Sequence, residues 1–141
     1  MVSIPIHRLS AQSVSHSVIT AAMQVHTELG PGLLESTYQA CLQHELLQVG
    51  IRSASQVCLP VVYRGAKLEL GYRMDLVVED LVIVEIKSVD AVSPVHYAQM
   101  ISYLKLSGKS IGLLINFNVV HLRDGLKRFV NGSSWRERQE S

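Results

Sequence analysis

The hexapeptide Val82-Ile83-Val84-Glu85-Ile86-Lys87 reads as a buried strand, yet it carries two charges. Its apolar residues fall on both alternating faces, with Leu81 and Ile83 on one and Val82, Val84 and Ile86 on the other. A run that is apolar on both faces marks a central strand with layers above and below it. Glu85 and Lys87 are two positions apart and share a face. Burying a carboxylate and an ammonium costs several kcal/mol each unless they are paired or bind an ion. The pair is therefore either a core ion pair or a place where chemistry happens.

The chain has 141 residues, enough for one domain with a proper core. We place a leader at residues 1–12, a single domain at 13–131 and a polar tail at 132–141. With 48% hydrophobic and 18% charged residues, the composition is that of a compact domain and not of a disordered chain. A net charge of +1 supplies no overall basic field, but the charge is uneven. From Lys105 onward, seven basic residues face three acidic ones, while the preceding part holds six basic and nine acidic. Such a bipolar domain can hold a polyanion at one end and a metal at the other. Lys127 and Arg128 are the candidate nucleic-acid contacts in the basic stretch, although a solvated basic surface explains the extreme tail equally well. Cys41 and Cys58 have no metal or redox spacing, so free thiols in a reducing cytoplasm are expected. The N-terminus lacks a charged segment followed by an apolar core, and no apolar run reaches membrane-spanning length.

In chain order, Val14, Val18, Ala21, Ala22, Val25 and Leu29 recur at helical spacing, with Ser10 or Ser13 available as cap. Gly30-Pro31-Gly32 stops that helix. A second helix is predicted from about Leu33 to Gln48, with Leu34, Tyr38, Cys41, Leu42, Leu46 and Val49 as its stripe and Gly50 after its end. Glu35 lies in its first turn, where dipole compensation alone explains an acid. The period then turns alternating. Val57–Tyr63 reads as one strand, Arg64-Gly65 as a tight turn and Lys67–Glu79 as a strand or pair of strands with a bulge at Gly71. With Glu79-Asp80 as the next turn, these make an antiparallel meander ending in the central strand.

A hairpin centred near Glu79-Asp80 brings Asp75 roughly opposite Glu85. Two carboxylates so close repel unless something positive lies between them, and a divalent cation on oxygen ligands is the usual solution. Ser93 and Pro94 open a third helix that closes on Gly108. Val95, Ala98, Ser102 and Leu106 are its expected packing face, and His96, Gln99 and Tyr103 share another, which would read as a polar, partly exposed surface if the helix did not directly follow the Glu-x-Lys strand. Ile111–Ile115 is a second doubly buried strand. A strand, a crossover helix and a strand make a parallel pair. Asn116–Asp124 is read as loop or short helix, and Leu126–Val130 as an edge strand. The expected class is α/β, a mixed sheet flanked by helices.

Asp75 followed ten positions later by Glu85-Ile86-Lys87 resembles the D…(D/E)-x-K signature of the PD-(D/E)-x-K nuclease superfamily. Gln99-x-x-x-Tyr103 resembles the extra motif of its RecB-like branch. Gly32-Leu33-Leu34-Glu35-Ser36-Thr37-Tyr38 is similar to the G-x-x-E-x-x-Y pattern that names a small bacterial and archaeal family. The resemblance covers about Val25 to Arg128, and departs from the superfamily's name only in having Met74 before Asp75. It implies a restriction-endonuclease-like core and a metal-dependent nuclease, with DNA the favoured substrate. It implies that Asp75, Glu85, the Ile86 carbonyl and Glu35 bind Mg²⁺ or Mn²⁺. By the same resemblance Lys87 orients or activates water, Gln99 and Tyr103 position Lys87 or the nucleic-acid backbone, and His26 and Tyr38 are additional site residues. A homodimer or a directing protein partner is compatible with it.

The residues fit phosphodiester hydrolysis independently. Oxygen ligands select a hard cation, and Lys87 supplies positive charge where negative charge develops. No serine or cysteine nucleophile set and no Walker-type phosphate loop is present. The alternative from a different class is the same fold serving as a non-catalytic nucleic-acid or protein binding module.

Overall fold

The computed structural model describes residues 9–132, so residues 1–8 of the expected leader and 133–141 of the expected tail lie outside the described residues, while Ala11 and Gln12 already belong to the first helix. Helix α1 (Ala11–Leu29) opens on Ser10. The Ser10 hydroxyl accepts from the Ser13 amide, and the Ser13 hydroxyl accepts from the Ser10 amide. This reciprocal box satisfies two amides that a helix start leaves orphaned. Val14, Val18, Ala21, Ala22 and Val25 are buried as one stripe, whereas Leu29 at the helix end is exposed. Helix α2 (Glu35–Gln48) buries Tyr38, Leu42 and Leu46. The two ends of its expected stripe are corrected: Leu34 is 74% exposed and Val49 is 68% exposed. Both are cap residues outside the helix, so the helical period no longer aims them at the core.

The strands are β1 (Ser53–Cys58), β2 (Val61–Tyr63), β3 (Ala66–Leu68), β4 (Arg73–Val78), β5 (Val82–Lys87), β6 (Ile111–Asn116) and β7 (Leu126–Val130), with α3 (Pro94–Ser107) between β5 and β6. The main sheet runs β1-β4-β5-β6-β7, antiparallel except for the parallel β5–β6 pair. The expected Val57–Tyr63 strand is broken at Leu59-Pro60, and Lys67–Glu79 is broken around Gly71, whose φ is +83°. The pieces β2 and β3 pair only with each other, around the Arg64-Gly65 turn, as a separate hairpin. The meander of the main sheet is thus β1-β4-β5. The β4–β5 turn is tight, with Glu79 at φ +52° and Asp80 at φ +57°. Two successive positive φ values match the twist of a two-residue hairpin.

The sheet has a layer on each side. Leu76, Val78, Val82, Val84, Ile86, Leu113 and Ile115 pack with α1 and α2. Val77, Ile83 and Leu114 pack with Met100, Tyr103 and Leu104 of α3. The central strand therefore alternates as its sequence requires. Among the described residues the architecture is α/β, a mixed five-stranded sheet flanked by three helices, consistent with a restriction-endonuclease-like core. Helix α3 is capped as expected by Ser93 and by Gly108 at φ +74°. Its packing face is not the expected one. Val95 is 68% exposed and Leu106 is 37% exposed, while Met100, Tyr103 and Leu104 are buried. The cause lies in the sheet, where Gly112 has no Cβ and Met100 fills the space a side chain would need. A short 3-10 turn, Leu122–Gly125, leads into β7. No helix of the described residues is long and apolar enough to cross a membrane.

The two sides of α2 give a direct check. Leu46→Ala empties a fully buried site and is expected to cost about 2–5 kcal/mol in urea unfolding. Val49→Ala is expected to stay within about 0.5 kcal/mol. Equal losses would mean that α2 packs by its whole predicted stripe.

Candidate active site

The β4–β5 ladder pairs Val78 with Val82, Val77 with Ile83 and Leu76 with Val84, and stops there. The same register sets Asp75 directly opposite Glu85. Side chains take over where the ladder ends. The Asp75 amide donates to Glu85 Oε2 at 2.7 Å, and the Ile86 amide donates to Asp75 Oδ2 at 2.8 Å. Each strand thus caps the other through a carboxyl group. Each carboxyl still has a second oxygen to offer. Glu85 is buried, at 5% exposure, and Asp75 is partly buried.

Burial, and then the charge of Asp75, push the Glu85 carboxyl up to about 8. Burial likewise raises Asp75, against the Ile86 amide and Lys87, which hold it down. Lys87 follows Glu85 by two along β5 and is half-buried. It makes no ion pair with either acid. Among the described residues the ion pair found is Lys109–Asp80, at 3.0 Å and far from this end of the sheet. The reading of Glu85 and Lys87 as a core ion pair is therefore not what the fold builds.

The chain just beyond Lys87 is held by three elements. The Phe117 amide donates to the Lys87 carbonyl at 2.9 Å. The Ser88 amide donates to Glu35 Oε2 at 3.0 Å, and the Ser88 hydroxyl donates to the Leu33 carbonyl at 2.6 Å. The buried Asn116 side chain accepts from the Val89 amide at 3.1 Å and donates to the Val89 carbonyl at 2.9 Å. Asn116 pairs with Lys87 across the parallel strands. It was not singled out from the sequence, where a strand-end Asn looks like the start of a turn.

Glu35 is thus an anchor between α2 and the end of β5. Its charge raises both carboxyls, so it stands nearby. However, among the described residues no three His, Cys, Asp or Glu side chains gather closely enough to hold a metal ion. The expected three-acid shell is not assembled; two of its acids meet, and the third is bonded to Ser88. Tyr38 serves the same geometry one turn later. Its hydroxyl donates to the Gly30 carbonyl at 2.6 Å and accepts from the Leu33 amide at 3.1 Å. Its ring stacks on Phe117 at 4.4 Å and 8°. Tyr38 clasps the glycine turn and so fixes where Glu35 begins the helix.

From the α3 side, Gln99 Nε2 donates to the Tyr103 hydroxyl at 2.8 Å. The buried Tyr103 hydroxyl is raised by burial and then by the charge of Glu85, so it faces the acids. Tyr103 is 4% exposed, so the bland reading of its helix face as exposed does not hold for it. Gln99 and Tyr103 also line a groove of about 560 Å³ with Val61, Tyr72, Val95 and Leu106. His26 lies elsewhere, its Nε2 bonded to the Val119 carbonyl at 2.8 Å, where it holds the loop after β6. Lys127 and Arg128 are exposed on edge strand β7. They pair with Leu114 and Leu113, which belong to opposite layers, so they do not form one basic patch.

A buried and a partly buried carboxyl with oxygen to spare suit a hard divalent cation. Mg²⁺ in particular is held through one or two carboxylates and keeps several waters. The pair also sets a pH dependence. Unfolded, Glu85 ionises near 4.5; folded, it keeps its proton to about 8. Between those values the folded state binds more protons, so stability is full at low pH and is lost as pH rises. Without divalent cation, the melting temperature is expected to fall from pH 5 to 8. Glu85→Gln should flatten that slope, and Mn²⁺ should restore the wild type at pH 8. A slope unchanged in Glu85→Gln would contradict the assignment.

A family model described as the PD-(D/E)XK nuclease superfamily matches residues 12–129. No curated protein and no solved structure matches the chain.

Proposed function

We propose, from the premise that this chain belongs to the PD-(D/E)XK nuclease superfamily, that it is a Mg²⁺- or Mn²⁺-dependent phosphodiesterase acting on nucleic acid, DNA foremost. One observation carries the reading. A buried and a partly buried carboxyl oppose each other at the open end of β4–β5, and a lysine on the same face is left without an ionic partner. Within the superfamily we assign the chain to the G-x-x-E-x-x-Y family and the RecB-like branch. The Glu35–Tyr38 segment and the bonded Gln99–Tyr103 pair support that assignment. Free thiols at Cys41 and Cys58 support a cytoplasmic setting.

Asp75 and Glu85 would hold the cation, with the Ile86 carbonyl beside them. When bound, the cation supplies charge neutralisation at the phosphate and acidifies water. Lys87 offsets negative charge as it develops on the phosphoryl oxygens and orients the attacking water. Its backbone is fixed by Phe117, and that of Ser88 by Glu35, so the ammonium is aimed before substrate arrives. Gln99 holds the Tyr103 hydroxyl toward the acids.

The test is cleavage of single- and double-stranded DNA with Mg²⁺ or Mn²⁺. Asp75→Asn and Lys87→Ala are each expected to lower the rate by about 100-fold or more. Salt-dependent DNA binding that survives Lys87→Ala, with no cleavage by the wild type, would replace this reading with the binding module.

A further inference from the structure

Four non-glycine residues among those described have positive φ: Gln56, Arg64, Glu79 and Asp80. The last three sit in the tight turns that join β2 to β3 and β4 to β5, where positive φ matches the hairpin's twist. Gln56, at φ +51°, lies inside β1. A side chain with a Cβ is held there only against a steric cost that glycine would avoid. The β1–β4 ladder pairs Ser55 with Leu76 and Val57 with Met74, and skips the pair between them. That missing pair is Gln56 and Asp75. The sheet's alternation also reverses at this point. Leu76 and Val78 pack with α1 and α2, whereas Met74 packs with the α3 core. Asp75 is therefore the residue at which both of β4's ladders are interrupted, by Gln56 on one side and Glu85 on the other.

The Gln56 amide has two N–H groups. One donates to Gln39 Oε1 at 3.2 Å, on α2 one turn beyond Glu35. The ladder register sets Gln56 directly opposite Asp75, between the Ser55–Leu76 and Val57–Met74 pairs, so its second N–H is at the strand position facing that carboxyl. We propose that Gln56 is a positioning residue, whose strained backbone directs its amide onto Asp75 and ties that carboxylate through Gln39 to the helix that carries Glu35. Strain inside a regular ladder, at the residue opposite a functional acid, is the pattern expected of a site that gives up stability for geometry. The proposal rests on Asp75 being a cation ligand, as read above.

The test measures melting temperature without divalent cation, and Mn²⁺ affinity by calorimetry, for wild type, Gln56→Gly, Gln56→Ala and Gln56→Asn. Gln56→Gly relieves the strain and is expected to melt at or above the wild type. Gln56→Gly and Gln56→Ala are both expected to bind Mn²⁺ about tenfold more weakly, the scale of a lost outer partner of a metal ligand. Gln56→Asn keeps an amide, tolerates the conformation and should recover part of the affinity. Unchanged Mn²⁺ affinity in Gln56→Gly and Gln56→Ala would overturn the proposal alone. So would affinities that merely follow the melting temperatures. A wild type that binds no Mn²⁺ would overturn the cation reading first, and this proposal with it.

Discussion

The mutual capping of β4 and β5 by Asp75 and Glu85 governs the rest of the structure. Beyond Leu76 and Val84 the two strands no longer pair. The amides of Asp75 and Ile86 would then be left without partners next to the core, at a cost comparable to a lost hydrogen bond each. The two carboxyls take them. The same groups that close the sheet thus bring two acids together at its open end. Both want to be charged to accept those amide protons well, and burial together with mutual repulsion opposes it. Only a proton or a cation resolves that conflict. Stability of the sheet and occupancy of the site are consequently linked quantities.

Around this point, polar side chains fix backbone that regular structure leaves free. Glu35 holds Ser88, Asn116 holds Val89, and the Phe117 amide holds Lys87. These contacts come from α2 and from the end of β6, which sit at the same end of the sheet because β5 and β6 run parallel. Tyr38 sets the start of α2 by clasping the turn before it. The site is built from local anchors placed by one topological fact: the parallel pair ends where the antiparallel pair opens.

How much of this could be read in advance follows from which forces leave a pattern. The β5 strand was legible because burial on both faces writes an unbroken apolar run. Asp75 near Glu85 was legible because a tight turn fixes register by counting to within a residue, and the three residues between Val78 and Val82 set the two acids opposite. The face of α3 was not, because Gly112 on the sheet admits Met100, and a glycine on the next strand leaves no mark on the helix's own period. Glu35 was read as a ligand from a motif, and the structure sets one of its oxygens on the Ser88 amide. Motif spacing says which turn an acid occupies and not how far that turn stands from another strand. Gln56 and Asn116 escaped entirely, since a single polar residue within or at the end of a strand has no periodicity to betray it. The Arg64-Gly65 turn of the β2–β3 hairpin was legible, but not that the hairpin stands apart from the main sheet, because its three-residue strands are too short to alternate clearly.

That the third acid stands off has a chemical meaning on the proposed reading. Two carboxylates neutralise a doubly charged cation, and Lys87 then leaves a single positive charge at the site. A phosphodiester carries a single negative one. The local charges balance only when cation, lysine and substrate are all in place. A third carboxylate in the shell would cancel the lysine and repel the phosphate. On that reading, Glu35 Oε2 on the Ser88 amide aims the strand end and would leave coordination positions to water and to the substrate's own oxygens. A cation held by few protein ligands is bound weakly alone and firmly with phosphate present, so binding strength is reserved for the complex in which reaction occurs.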